Sequence, residues 1–540
     1  MNKFLSIIII LNISIAQAQK FTHRDSLQGG MRFERSCFDV QHYELNILIN
    51  PTEKSIVGYN EISFNVLQKT KKIQIDLFEN MSIDSIIFQT NKLSYKRDND
   101  AVFISFVDEL TQNTTQKLRF YYSGKPLIAK NAPWDGGFVF KKDSNGNDFI
   151  GVAVQGIGAS LWYPVKDSQT DEPDRGATIK VAVPNGLMNV SNGRFKGKED
   201  LKNGYTRWDW EVVNPINTYS ITVNIADYVN FKDQLDGLDL DFYVLRENIA
   251  KAKNHFEADV KPMLKCFQEK FGPYPFEADG YKLVETPYLG MEHQSAVAYG
   301  NRFKKGYLGS DLSGTGIGLS FDYITVHETA HEWFGNSITS KDIADMWIHE
   351  GFTTYSESVF LECTKGYEVA QKYINGQKKN IDNHKPIIGF YGVNKQGSSD
   401  MYYKGAAMLN TLRHITNNDY KWWAMLLKFT TIYKKQLVET KTVVDFFSRE
   451  VGYNLTPFFN QYLKYASIPI LVLEKHKKTF RYKWKTNELN FKIPIEIEIN
   501  GKNKRIFPTN SFQTATEPVH SIADEIKVKT DKYYVKVKIN

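Results

Sequence analysis

From about residue 38 to 228, apolar and polar residues alternate with period two. In KKIQIDLF, Ile73, Ile75 and Leu77 alternate with Lys72, Gln74 and Asp76, the pattern of a strand with one buried face. Asn50-Pro51, Asn145-Gly146-Asn147 and Asn192-Gly193 punctuate similar runs, so this stretch predicts a largely β region. Near residue 245 the period changes. LRENIAKAKNHFEADVKPMLKCFQEKFG has helical spacing and ends at Gly272-Pro273, an ordinary helix stop. Helical character continues to about residue 466, with one strand-like interruption near 281–300. Alternation then returns. FKIPIEIEIN puts Ile493, Ile495, Ile497 and Ile499 on one face, and YYVKVKIN repeats the device. The pattern predicts a multidomain α+β protein with an all-β domain over 19–230, an α-rich domain over 231–466 and a small β domain over 467–540.

The first residues stand apart. Lys3, an apolar run from Phe4 to Ala16, and Ala16-Gln17-Ala18 form the charged start, short apolar segment and cleavage site of a secretory signal peptide. Residues 1–18 are therefore expected to be removed after Ala18 and the protein exported, secreted or periplasmic. The apolar run is shorter than the ~20 residues that span a bilayer, and no later stretch suggests a transmembrane segment. A length of 540 residues implies several domains. With 42% hydrophobic and 24% charged residues, the chain has the composition of folded protein. Its formal charge of +7, from 68 basic and 61 acidic residues, includes no dense Lys/Arg run, so no nucleic-acid partner is expected. Cys37, Cys266 and Cys363 are few and widely spaced. They predict neither dependence on a disulfide nor a cysteine metal site.

The candidate chemistry lies in VHETAHEWFGN, residues 326–336. Residues four apart on an α-helix share a face, so His327 and His331 can aim two imidazoles at one point, with Glu328 beside them. H-E-x-x-H on a helix is the zinc-protease arrangement. In DMWIHEGFTTYSE, Glu350 follows His331 with eighteen residues between them, and Gly335-Asn336 breaks the first helix. A returning helix would offer Glu350 as a third ligand, and two His with one Glu is a catalytic zinc set that leaves a position open. Glu357 lies two turns beyond Glu350. It reads either as the partner that orients a ligand histidine or as a helix-surface carboxylate.

This zinc block resembles that of the aminopeptidase N family of gluzincins, which includes the leukotriene hydrolases, although His349 stands where Asn is usual. YLGMEHQSAVAYG resembles the family's G-x-M-E-N motif, with Leu289 replacing the Gly and His293 the Asn, and YYKGAAML matches its Y-x-K-G. The resemblance covers about residues 38 to 540. It implies an N-terminal saddle-like β domain, a thermolysin-like catalytic domain and a small C-terminal β-sandwich. It also implies one Zn2+ per chain held by His327, His331 and Glu350, with Glu328 as general base and Tyr402 as the catalytic tyrosine. Substrate binding falls to Gly290, Met291 and Glu292 of the exopeptidase motif, to Gln155 in AVQGIGASLWYPVKD as a second amine ligand, and to Tyr288 as a wall of the side-chain pocket. Larger members carry a helical domain after the small β domain; the strand-like pattern here predicts a more open cleft.

The expected function is zinc-dependent removal of the N-terminal residue from peptides with a free amine. A thermolysin-like endopeptidase shares the zinc and the base but not the amine anchor, and cleavage of an N-acetylated peptide would favour it. A non-catalytic peptide-binding relative would be expected to lose ligands that are retained here. A homo-oligomer stays open, as do the preferred first residue and any epoxide hydrolase activity.

Overall fold

The computed structural model describes residues 21–540; the leader-like segment 1–18 lies outside them. Residues 38–226 form the β domain. Strand Phe38–Asn50 lies at the centre of an eight-stranded sheet, antiparallel to Ser55–Val66 and parallel to Ala177–Pro184. A four-stranded sheet containing Asp148–Ala153 and a three-stranded sheet around Ala101–Leu110 complete the domain. In strand Thr70–Asp76 the outcome is more buried than alternation predicts. Ile73 and Ile75 are buried, but so are Gln74 and Asp76. A short N-terminal helix, α1 (His23–Gly29), and the residues after it cover that second face. Gln74 Nε2 donates to Leu27 O at 3.2 Å, Arg32 donates to Gln74 Oε1 at 2.7 Å, and buried Arg35 pairs with Asp76 at 3.2 Å. Buried polar groups are tolerated here because each is paired.

The hairpin Tyr228–Leu235/Leu238–Leu245 belongs to the next layer. It forms a five-stranded sheet with Tyr281–Glu285, Gly290–Met291 and Val297–Tyr299. The strand content of this region is thus larger than one interruption. Helices α2 (Ile249–Phe271), α3 (Tyr323–Ala330), α4 (Trp347–Lys365), α5 (Tyr367–Gln377) and α6 (Tyr403–Thr416) build the helical part. At the C-terminal end, a four-stranded and a three-stranded sheet enclose Trp484, Phe491 and the buried faces of Ile493, Ile495, Ile497 and Ile499. Their apolar core is continuous with that of the helical region. Tyr288, Met291 and Ala296, by contrast, pack into the β-domain core, so the segment carrying Glu292 runs along the junction of the two.

The cysteine expectation is corrected. Cys266 of α2 and Cys363 of α4 form a disulfide, with Cα atoms 6.0 Å apart and a sequence separation of 97. Helix packing brings the two together, which neither spacing nor cysteine number encodes. Cys37 is free and buried. Among the described residues no helix is long and apolar enough to cross a membrane.

Candidate active site

Helix α3 begins at Asp322, whose side chain accepts from the Thr325 N–H at 3.1 Å, an N-cap that satisfies an otherwise orphaned donor. One turn separates His327 from His331, and their rings lie 5.1 Å apart. Glu350, in the first turn of α4, places Oε2 3.6 Å from His327 Nε2 and 3.4 Å from His331 Nε2. These separations are long for hydrogen bonds, and buried Glu350 Oε2 has no hydrogen-bond partner. They match the edge of a tetrahedron, about 3.4 Å when ligands sit ~2.1 Å from a central zinc. All three donor atoms lie within 4.8 Å of one another. The donor set and its spacing therefore fit zinc, with a position left open.

The far side of each imidazole is also occupied. His327 Nδ1 donates to Glu357 Oε1 at 2.8 Å, and His331 Nδ1 to Phe334 O at 2.9 Å. Each ring then presents a bare Nε2 inward. Glu357 is itself held by Tyr373 and Gln377, both donating to Oε2 at 2.7 Å. Of the two sequence readings of Glu357, the geometry selects the histidine-orienting one. Burial opposes ionisation of Glu350, but His331 and His327 outweigh it and hold the carboxyl well below its ordinary value.

A cavity of about 470 Å3 opens over these residues and is lined by Gln155, Gly290, Met291, Glu292, Glu328 and Tyr402 among others. Glu328 is buried, and burial pushes its carboxyl up, with His327 and His331 pulling the other way. Gly290 lies against it. A Cβ there would come within 2.8 Å of Glu328 Oε1 and 2.7 Å of Ile324 Cγ2, so no side chain fits. The Tyr402 ring faces His327 at 6.2 Å, and its phenol is pushed well above the usual value by burial and by Glu350.

Glu292 Oε1 accepts from Gln155 Nε2 at 2.5 Å and from the Tyr219 hydroxyl at 3.1 Å. Gln155 Nε2 also reaches Glu350 Oε1 at 3.2 Å, so the β domain supplies a side chain that touches both the amine-anchor candidate and a metal ligand. Tyr219 was not singled out in the sequence. It is one of 30 tyrosines in no recognisable motif, and only the fold brings it here. Tyr288 is a correction. Its side chain is buried in the β-domain core with the hydroxyl donating to Val152 O at 3.0 Å, and it is not among the residues lining the metal cavity. It lines a neighbouring cavity instead. Of the three departures from the usual motifs, His349 and His293 are fully buried. His349 Nε2 accepts from the Ser340 N–H at 2.8 Å, while burial lowers His293 to about 3 and keeps it neutral.

The peptidase M1 N-terminal domain is matched over residues 39–220 and the peptidase family M1 domain over 256–462. The chain is 20% identical over 480 residues to "Probable aminopeptidase 1" of Sulfurisphaera tokodaii, covering 83% of this chain and 58% of that protein. It is 24% identical over 265 residues to the endoplasmic reticulum aminopeptidase 1 of Mus musculus, covering 46% and 28%. The chain spans roughly half the length, or less, of such curated relatives. Among solved structures, a mutant M1 zinc metallopeptidase of Deinococcus radiodurans bound to a Tyr-Ser-Ala substrate has the same fold. Its TM-score is 0.65 at 18% identity, covering 80% of this chain and 95% of that one.

Proposed function

This chain belongs to the peptidase M1 family, and from that premise we propose that it is a zinc-dependent aminopeptidase that removes one residue from the free amino terminus of peptides. The observation that carries the reading is Glu292. It is a buried carboxylate that faces the metal cavity and is held by Gln155 and Tyr219 within 4.8 Å of a His331 ligand atom. An ammonium 4 Å from such a carboxylate gains a gross ~4 kcal/mol at an effective dielectric of 20, before desolvation is subtracted. With the amine held there, the first peptide bond reaches the metal ligands. An extended residue spans only ~3.5 Å, so no further bond fits the same place.

His327, His331 and Glu350 would hold Zn2+, which when bound supplies Lewis acidity, polarising a carbonyl and lowering the pKa of water to about 7. The remaining work falls to side chains. Glu328 takes the proton of the attacking water and delivers it to the departing amine, a role suited to a carboxyl whose burial favours its protonated form. Tyr402 donates a hydrogen bond to the oxygen that gains charge as the carbonyl becomes tetrahedral. Its raised pKa keeps it protonated for that purpose. A thermolysin-like endopeptidase would have no use for a buried carboxylate and a carboxamide paired beside the metal ligands.

Export belongs to the same reading. The leader-like residues 1–18 support it, as does the Cys266–Cys363 disulfide, a bond typical of oxidising compartments. The mature protein should begin at Gln19, which N-terminal sequencing checks. For the activity, the test pairs a chelator with Glu328→Gln. Chelation should abolish hydrolysis of an amino-acid amide and zinc should restore it. The variant should bind one zinc per chain and turn over at least 10³-fold more slowly. Full zinc content with near-normal turnover in Glu328→Gln would refute the assignment.

A further inference from the structure

The turn that carries Glu292 is tied at both ends to the segment following His331. Glu332, next in sequence to that ligand, is fully buried. Its Oε1 accepts from the Ser295 backbone N–H at 3.0 Å and from Asn336 Nδ2 at 3.2 Å, and its Oε2 from the Tyr274 hydroxyl at 2.6 Å. Asn336 Nδ2 also donates to the Glu292 carbonyl at 2.8 Å. The carbonyl that opens the turn and the N–H that closes it therefore both end on Glu332 and Asn336. Ser295 is left-handed, with φ 55°, a conformation that is unfavourable for a non-glycine residue and needs outside support. Neither Glu332 nor Asn336 lines the cavity, so neither touches a substrate.

The β domain closes the other side. Asn192 Nδ2 donates to Gln294 O at 2.7 Å, and the Gly193 N–H to Ser295 Oγ at 2.9 Å. Ser220 Oγ donates to Asn336 Oδ1 at 3.2 Å. Its neighbour Tyr219 donates to the Glu292 carboxylate itself.

We propose that Glu332 and Asn336 are positioning residues that set the place of the Glu292 carboxylate relative to the metal ligands, and so fix the one-residue register of cleavage. The proposal rests on the aminopeptidase reading. A carboxylate displaced by ~1 Å no longer holds the amine where the first peptide bond meets the ligands, and misplacement on that scale costs on the order of 10²-fold. The chain contains its own conservative control. In Glu332→Gln the remaining carbonyl oxygen still accepts from Ser295 and Asn336, and the Tyr274 hydroxyl can turn to accept from the new amide. Asn336→Asp has nearly the same shape but directs an acceptor at the Glu292 carbonyl and at Glu332.

The test measures binding apart from turnover. In a zinc-loaded Glu328→Gln background, calorimetry gives Kd for a free-amine tripeptide and for its N-acetylated form. KM and kcat are measured in the active background. Asn336→Asp and Glu332→Ala should retain zinc and raise Kd and KM for the free-amine peptide about 10–100-fold. The acetylated Kd should stay within about twofold, and Glu332→Gln should stay within about threefold of the parent throughout. Ser220→Ala, which removes only a hydroxyl behind Asn336, should shift selectivity a few-fold in the same direction, and it carries the test if the harsher variants fail to fold. Equal changes for the two peptides, or an unchanged free-amine preference in Asn336→Asp or, failing that, in Ser220→Ala, would overturn the proposal. If the parent protein binds both peptides equally, the aminopeptidase reading itself has failed; a parent that discriminates while its variants are unaltered sinks the positioning role alone.

Discussion

Replacing Glu292 by Gln is the most informative single perturbation, because it removes one charge while keeping the shape of the side chain. The amide oxygen can still accept from Gln155, whose Nε2 stands 2.5 Å from the present carboxylate, so the local packing is retained. What disappears is the attraction for an ammonium, ~4 kcal/mol gross at 4 Å and an effective dielectric of 20. Desolvation of the amine and of a fully buried carboxylate cancels part of this. Taking half as the net leaves ~2 kcal/mol, about a 30-fold loss, and the uncancelled value sets an upper limit near 10³-fold. The assay compares kcat/KM for a fluorogenic amino-acid amide with that for its N-acetylated form, alongside zinc content. The free-amine substrate should lose 30- to 1000-fold in Glu292→Gln while zinc content stays at one per chain. The acetylated substrate, which the parent is expected to use poorly, should change little or improve, since it no longer meets a buried charge. A parallel fall for both substrates at full zinc content would refute the amine-anchor argument.

Tyr402→Phe removes a donor needed only as the carbonyl oxygen gains charge, so kcat should fall about 10²–10³-fold with KM nearly constant; steady-state kinetics checks this, and an unaltered kcat would exclude the tyrosine. Glu357→Ala leaves the His327 Nδ1 proton and the donors of Tyr373 and Gln377 without an acceptor. Zinc affinity should drop 10- to 100-fold, measured by competition with a calibrated chelator. Cys266→Ser opens a loop of 97 residues, for which chain entropy alone gives up to ~4.7 kcal/mol. Denaturant unfolding should show a loss of about 2–4 kcal/mol, and no difference between oxidised and reduced parent protein would contradict the bridge.

The zinc block is the most legible part of the chain because its logic is local. Four-residue spacing on one helix aims His327 and His331 together whatever surrounds them, and Glu350 needs only one further helix. The β, α-rich, β order is legible for a similar reason, since periods of two and 3.6 report which face of each element is buried. The pattern says less about what lies against that face. Gln74 and Asp76 read as the wet side of a strand, yet the segment around α1 covers them and supplies Arg32 and Arg35 as partners. The α-rich region is expected to hold one strand-like interruption near 281–300, but the hairpin at 228–245 pairs in parallel with Tyr281–Glu285 and enlarges its sheet.

By itself, then, the sequence determined the periodic elements and the helix-borne metal ligands, since both depend on neighbours within one or two turns. Tertiary structure alone decided which β-domain side chain joins Gln155 at Glu292. It set Tyr219 beside Glu292 across 73 residues, turned Tyr288 into the β-domain core, and joined Cys266 to Cys363. It also decided between two readings of Glu357, by carrying it to His327. The physical reason is the same in each case. A side chain's direction follows from local backbone geometry, but its partner depends on how distant elements pack, and periodicity carries no information about packing partners far apart in sequence.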